Sequence, residues 1–161
     1  MYNLYMKQKV FKIRDKYDIY DQQQNPIYHI DQDFKLIGNT INVIKYDGSK
    51  SFVIDRRLLT LLPKYDVNFH DGKSFSIFQK LTFLKKRIEV VSDYYNWDLQ
   101  GSFWDLDFEV YNNGIKVGHI SKEFLTWTDT FSITVIDPEF EEELVALMIV
   151  VDDIQDMQQS N

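Results

Sequence analysis

EEELVALMIVVDDIQ, residues 141–155, is the most apolar run in an otherwise polar chain, and acidic residues bracket it on both sides. Three readings compete: a membrane insertion, a partner-binding face, or the filling of the protein's own core. The uninterrupted apolar stretch is Leu144 to Val151, far short of the roughly 18–20 residues needed to span a bilayer. Its flanks are Glu and Asp without Lys or Arg, a poor anchor at a membrane surface. The local chemistry is that of a helix. Asp137 suits the cap, Pro138 the first turn, and Glu139 to Glu143 the positive end of the helix dipole. Leu144, Leu147, Met148 and Val151 recur at three- and four-residue spacing. Ala146, Ile149 and Val150 widen that stripe until most of the circumference is apolar, the pattern of an enclosed helix. The expected core helix runs over about 138–157, followed by a short polar tail, 158–161.

An enclosed helix needs an enclosure, and the preceding residues read in period two. KVFKIRDKYDIY (9–20) is followed by the turn DQQQN and then PIYHI. DFKLIGNTINVIKYDGSKSFVI (33–54) repeats the arrangement around YDG, and RRLLTLLPKYDVNFHDGKSFSIF (56–78) does so around HDG. Such Gly-containing turns suit tight hairpins. KLTFLKKRIEVV with YNWDLQGSF forms a looser fourth unit, and FEVYNNGIKVGHI and FLTWTDTFSITVI continue the series. Tyr17, Ile41, Tyr65 and Ile88 mark the period at spacings of 24, 24 and 23, and Phe108 and Phe131 follow after 20 and 23. One hairpin cannot bury its apolar face, so repetition implies side-by-side assembly into one large sheet. About twelve strands make a sheet that must curl or close to deal with its edges. In TINVIKY, Ile41 and Val43, with Lys45, fall on one face, and Asn42, Ile44 and Tyr46 on the other. The expected fold is mainly β: a twelve-stranded closed antiparallel barrel enclosing its own C-terminal helix, as a single unit over 1–157.

Composition agrees. Aromatic residues make up 16% of the 161, and only three prolines and six glycines interrupt them, which favours a folded, strand-rich chain. The formal charge is −7. Residues 137–161 hold eight acids and no Lys or Arg, leaving the preceding residues at +1. A uniformly basic nucleic-acid surface is therefore not expected, and the aromatics are not interleaved with a basic groove. The absence of cysteine excludes disulfides, thiolate catalysis and cysteine metal sites. The N-terminus, MYNLYMKQKVFKIRD, alternates and lacks the apolar core of a signal peptide. A cytoplasmic location, with peripheral membrane contact as its variant, fits these features.

The chain resembles the LURP-one-related family, including its YxjI-like bacterial members, of the tubby C-terminal-domain-like superfamily. The resemblance rests on KQKVFKIRDKYDIYD (7–21), LLTLLPKYDV (58–67), GSFWDLDFEVYNNG (101–114), SKEFLTWTDTFSITV (121–135) and the acidic-hydrophobic helix. It implies a twelve-stranded barrel around a central helix. It brings no catalytic residue, and no counterpart of the tubby phosphoinositide motif is found. Related groups suggest phosphoinositide binding or lipid association.

The densest basic stretch is Lys85, Lys86 and Arg87, with Lys80 upstream; Arg56 and Arg57 form a second, weaker candidate. Brought together, they would hold a phosphate group by charge-assisted hydrogen bonds; on separate strand ends they would simply be solvated. His29, His70 and His119 are too far apart to define a metal motif, and no HExxH, P-loop or GxGxxG occurs. HDG reads as a turn, and His29 and His119 as half-buried structural imidazoles. Glu141, Glu142, Glu143, Asp152, Asp153 and Asp156 lack an EF-hand's alternating ligands and read as keeping the helix ends soluble. WDLDF (104–108) reads as a strand with a polar face. The tryptophans Trp97, Trp104 and Trp127 read as packing groups. No metal, cofactor or catalytic residue is assigned. The expectation is a non-enzymatic cytoplasmic binding or scaffold protein with a protein partner. Anionic lipid-headgroup binding through Lys80, Lys85, Lys86 and Arg87 is the alternative, and an unrecognised hydrolase stands third.

Overall fold

The computed structural model describes residues 1–7, 16–34, 39–57, 62–81, 86–103, 105–123 and 130–159. Twelve strands are β1 (Tyr2–Lys7), β2 (Lys16–Tyr20), β3 (Pro26–Phe34), β4 (Asn39–Lys45), β5 (Lys50–Arg57), β6 (Lys64–Phe69), β7 (Ser74–Leu81), β8 (Lys86–Val91), β9 (Trp97–Ser102), β10 (Asp107–Asn112), β11 (Ile115–Glu123) and β12 (Thr130–Val135). A single 3-10 turn, Pro138–Phe140, leads into the helix α1 (Glu141–Gln159). The strands form one antiparallel sheet in the order β8, β7, β6, β5, β4, β3, β2, β1, β12, β11, β10, β9.

That order explains the curvature. β1 pairs with β12 along its whole length, from Tyr2 opposite Val135 to Lys7 opposite Thr130, so the two ends of the strand series meet in mid-sheet. Two meandering arms run outward from this junction, and their tips, β8 and β9, are joined by only residues 92–96. Five residues reach at most about 18 Å, so the sheet must curl until its edges adjoin. The barrel is nearly closed: among the described residues no ladder joins β8 to β9. The looser fourth repeat expected from sequence is thus not a hairpin but the seam.

The 24-residue period is a hairpin period, and it repeats down to individual hydrogen bonds. The amides of Asp21, Lys45 and Phe69 donate to the carbonyls of Asn25, Ser49 and Lys73, closing three equivalent loops. Gln24, Gly48 and Gly72 donate to the carbonyls of Asp21, Lys45 and Phe69 and hold φ values of 64°, 87° and 88°. The spacing markers Tyr17, Ile41, Tyr65, Ile88, Phe108 and Phe131 each fall on an even-numbered strand. At YNNG, Asn113 and Gly114 both have positive φ between paired Asn112 and Ile115, the two-residue hairpin turn whose twist matches the strands. WDLDF departs from expectation. Trp104 lies outside the described residues, Asp105 and Leu106 form a turn with Leu106 at φ 51°, and β10 begins only at Asp107. Asp105 accepts a hydrogen bond from the Ser102 hydroxyl at 2.6 Å, which stabilises the turn.

Face assignment in β4 follows the alternation. Ile41 and Val43 are buried, whereas Ile44 and Tyr46 are exposed on the outer surface. The inner faces of the strands and the helix share one hydrophobic core. Every residue from Leu144 to Val151 is buried to 1% exposure or less. At 100° per residue those eight positions cover the full circumference, so barrel wall surrounds the helix on all sides. Gly118 on β11 makes room for it: a Cβ there would sit 2.5 Å from the Leu144 Cδ1 atom.

Candidate functional site

The barrel closes on its helix with polar collars. At the N-terminal end, the hydroxyls of Tyr2 and Tyr28 donate to the Glu141 carboxylate. Lys45 Nζ lies 2.9 Å from Glu142 and 3.7 Å from Glu141, Ser51 donates to Glu142 at 3.3 Å, and Tyr95 donates to Glu143 at 2.6 Å. At the other end, Arg56 Nη1 sits 3.0 Å from Asp153 Oδ2, and the Tyr65 hydroxyl donates to the same oxygen at 2.7 Å. The strands supply the cation and donors that the helix lacks in its last turns, where acidic residues oppose the dipole. The acids at the helix ends therefore do more than confer solubility. Glu143 and Asp152 are buried, and Glu141, Glu142, Glu143 and Asp153 fasten the helix to the wall.

Electrostatics follows from this burial. The Tyr28 and Tyr65 hydroxyls are pushed far above the usual tyrosine range, first by burial and then by the facing carboxylates. Tyr17 is raised by burial and by the charges of Asp152, Asp153 and Asp156. Burial opposes the charge of Lys45, but Glu142 and Glu141 outweigh it and raise its pKa. Burial also lifts the Glu143 carboxyl above its ordinary value despite the Tyr95 hydrogen bond. Lys45 pairs its charge with Glu142 and Glu141, while Tyr28, Tyr65 and Tyr95 stay neutral and donate hydrogen bonds to the helix carboxylates. A recess of about 500 Å³ opens above the N-terminal collar, lined in part by Lys45, His70, Lys73, Glu139 and Glu142.

The second surface is the outer face of β5–β8. Ladder register places Asp55, Asp66, Ser76 and Val91 in one row across it, and Arg57, Lys64, Phe78 and Glu89 in the next. Lys80 stands directly opposite Arg87, so these two sequence candidates do converge. Lys86 opens β8 opposite Leu81, while Lys85 lies outside the described residues. The second candidate pair splits across the wall: Arg56 points in to Asp153, whereas Arg57 points out, its Nε 2.5 Å from Asp66. Arg56 does hold an anion, and that anion belongs to the chain's own helix.

The outer cations sit among acids. Lys80 pairs with Glu89, and Lys64 lies 3.5 Å from Asp66 and 4.7 Å from the Phe78 ring centre. Asp66, which also accepts from Ser76 at 2.6 Å, is held below the usual carboxylate range: burial opposes this, but Ser76, Lys64 and Arg57 outweigh it. A groove of about 500 Å³ crosses this face, its lining including Asp55, Asp66, Asn68, Ser76, Val91 and Asp93. Val91, 52% exposed, lines its β8 side, and Tyr94, 57% exposed, follows the lining residue Asp93 in the chain. Sequence reading missed this groove because its residues come from four strands. The polar members alternate with buried apolar ones, which marks them as outward but not as neighbours.

The remaining candidates are accounted for locally. His29 lies 2.7 Å from Asp18 and His119 2.5 Å from Asp107, both as cross-strand pairs with the imidazoles partly exposed. His70 is a turn residue. Trp97 packs against Phe75, Tyr95 and Phe140 beside the seam; Trp104 and Trp127 lie outside the described residues. No group of three or more metal-binding side chains converges among the described residues. No described helix is long and apolar enough to cross a membrane.

A nearly closed antiparallel barrel fastened at both ends to the helix it contains defines the class of this protein. The chain belongs to the LURP-one-related family, whose model matches residues 2–153. It is 27% identical to the uncharacterised protein YxjI of Bacillus subtilis over 155 residues, covering 94% of this chain and 93% of that one. Its fold is also that of an Arabidopsis thaliana protein solved by X-ray crystallography, with a TM-score of 0.60 at 16% identity over 96% of this chain and 92% of the other.

Proposed function

We propose that this protein is a non-enzymatic, cytoplasmic binding module that engages a protein partner through the outer face of β5–β8 and the adjoining seam. The observation that carries this reading is the groove of about 500 Å³ lined by exposed Val91, with exposed Tyr94 next in the chain to its lining residue Asp93. An exposed apolar side chain at a polar groove supplies the anchor of a recognition surface, and the surrounding polar rows supply its specificity. Support comes also from the interior, where the buried polar groups of the collars are engaged in retaining the helix. The test is affinity purification from the native host with the wild type and with a Val91→Asp, Tyr94→Ala double variant. A protein retained by the first and lost by the second supports the reading; equal retention by both overturns this surface as the site.

A second reading is favoured by the pairing of Lys80 with Arg87. Together with Lys85 and Lys86, which lie close by in sequence, they would form a site for an anionic lipid headgroup. Against it, Glu89 and Asp66 neutralise much of the outer charge. Flotation with vesicles with and without anionic lipid separates the two. Binding that survives neutralisation of Lys80, Lys85, Lys86 and Arg87 rules out the headgroup site.

A further inference from the structure

Two aspartates stand directly opposite each other on the outer face of the sheet: Asp55 of β5 faces Asp66 of β6. Like charges so opposed destabilise a strand pair, and cations compensate only one of the two. Asp66 has Arg57, Lys64 and the Ser76 hydroxyl. Asp55 accepts from the Thr40 hydroxyl at 2.9 Å and enters no ion pair among the described residues. At the far end of the same groove, the Asp93 carboxylate has neither an ion pair nor a hydrogen bond among the described residues. Of the described lining residues Arg57 alone is basic, and its guanidinium lies on Asp66. The groove is thus left with a negative charge at each end, and exposed Val91 lines it near the second. The whole chain carries −7, so its long-range field draws a ligand of the same positive sign.

We infer that this groove takes an extended, basic segment of a partner protein, with an Arg or Lys side chain on Asp55 and an apolar side chain against Val91. This deepens the binding-module reading and rests on it, giving the partner's segment its chemistry. A guanidinium on Asp55 forms a charge-assisted pair and offsets the repulsion from Asp66. Arg57 on Asp66 makes the same pairing within the chain. Spacing follows from the sheet. Asp55 and Val91 lie in one cross-strand row with Asp66 and Ser76 between them, about 14 Å apart at roughly 4.8 Å per strand. An extended chain advances about 3.4 Å per residue, which sets the basic and apolar residues about four positions apart. An even spacing also turns both side chains toward the same wall. A second basic residue beyond the apolar one meets Asp93.

The test is fluorescence anisotropy with labelled twelve-residue peptides on a Gly-Ser background, carrying one Arg and one Leu two to six positions apart. The peptide spaced by four is expected to bind at least tenfold tighter than its counterparts with Glu for Arg or Ser for Leu. High salt should weaken it. Asp55→Asn should remove the preference for Arg without lowering the melting temperature, since it also relieves the facing charges. Val91→Ser should remove the preference for Leu. Absence of binding by every peptide overturns the inference. So do Glu peptides that bind as well as Arg peptides, an optimum at another spacing, or a preference indifferent to Asp55→Asn. The wild-type peptide series decides the matter even if a variant misfolds. Its failure leaves the host-partner reading standing, because that is tested separately by retention on the wild type and on the Val91→Asp, Tyr94→Ala variant.

Discussion

Glu143 shows how a single residue binds the helix to its barrel at an electrostatic cost. Its carboxylate accepts from Tyr95 yet is buried, and burial outweighs the hydrogen bond, so the native state holds its proton more tightly than the unfolded chain. The sign follows from linkage. A raised acid contributes fully below its unfolded value, near 4.5, and that contribution is lost as pH rises through the folded value. Glu143→Gln keeps an acceptor for Tyr95 without the buried charge. It should raise the melting temperature at neutral pH, with the gain disappearing as pH falls below the ordinary carboxyl range. Thermal melts of both proteins from acid to neutral pH check this; a variant less stable at neutral pH would show the charge itself to be needed. A second residue-scale contrast lies in the repeated turn. Gln24 occupies the left-handed position that Gly48 and Gly72 hold in the next two units. Gln24→Gly should stabilise by about 0.5–1 kcal/mol, and Gly48→Ala should destabilise by about 1 kcal/mol, both measurable by urea denaturation.

At the scale of elements, the helix is decisive. Leu147 is 0% exposed at its centre, so Leu147→Asp places an unpaired charge in the core. The expected loss exceeds about 4 kcal/mol, enough to remove the folded state. Circular dichroism and melting decide it, and a soluble variant with an unchanged melt would mean that the helix is not enclosed. The C-terminal collar admits a subtler test. Arg56→Met leaves Asp153 with Tyr65 alone and should cost about 3 kcal/mol, much of it recovered by adding Asp153→Asn, as measured by chemical denaturation of the single and double variants. The helix and its burial were legible because eight apolar residues in a row, between a cap and acids, allow few alternatives. The hairpins were legible because their turns repeat at 24 residues. What alternation does not encode is which strand lies beside which. The pairing of β1 with β12, the split of Arg56 from Arg57 across the wall, and the opposition of Lys80 to Arg87 all depend on register. Arg56 and Arg57 are sequence neighbours, and in a strand that places them on opposite faces; only the curl of the sheet decides which face is inside.

At the scale of the molecule, barrel and helix are conditions of each other. The sheet curls because its tips, β8 and β9, are joined by a short segment, and curling creates an interior too large for inward strand side chains alone. Leu144 to Val151 fill that interior, and the collars set the helix at its depth. Neither half is expected to fold alone. Helix 141–159 would expose apolar side chains around its whole circumference, and the sheet would face water from within. A chain ending at Asp137 loses the helix, the five hydroxyl contacts to the collar acids and the inner ion pairs with Glu141, Glu142 and Asp153. It should retain strand-like far-ultraviolet dichroism at most, bind a hydrophobic dye, and lack a cooperative melt. Adding residues 138–159 as a separate peptide should restore a cooperative transition whose midpoint rises with peptide concentration, since a ligand bound only by the folded form stabilises it by mass action. A truncated barrel that melts cooperatively without the peptide would show that the sheet closes on its own side chains and that the helix is an occupant rather than a part of the fold.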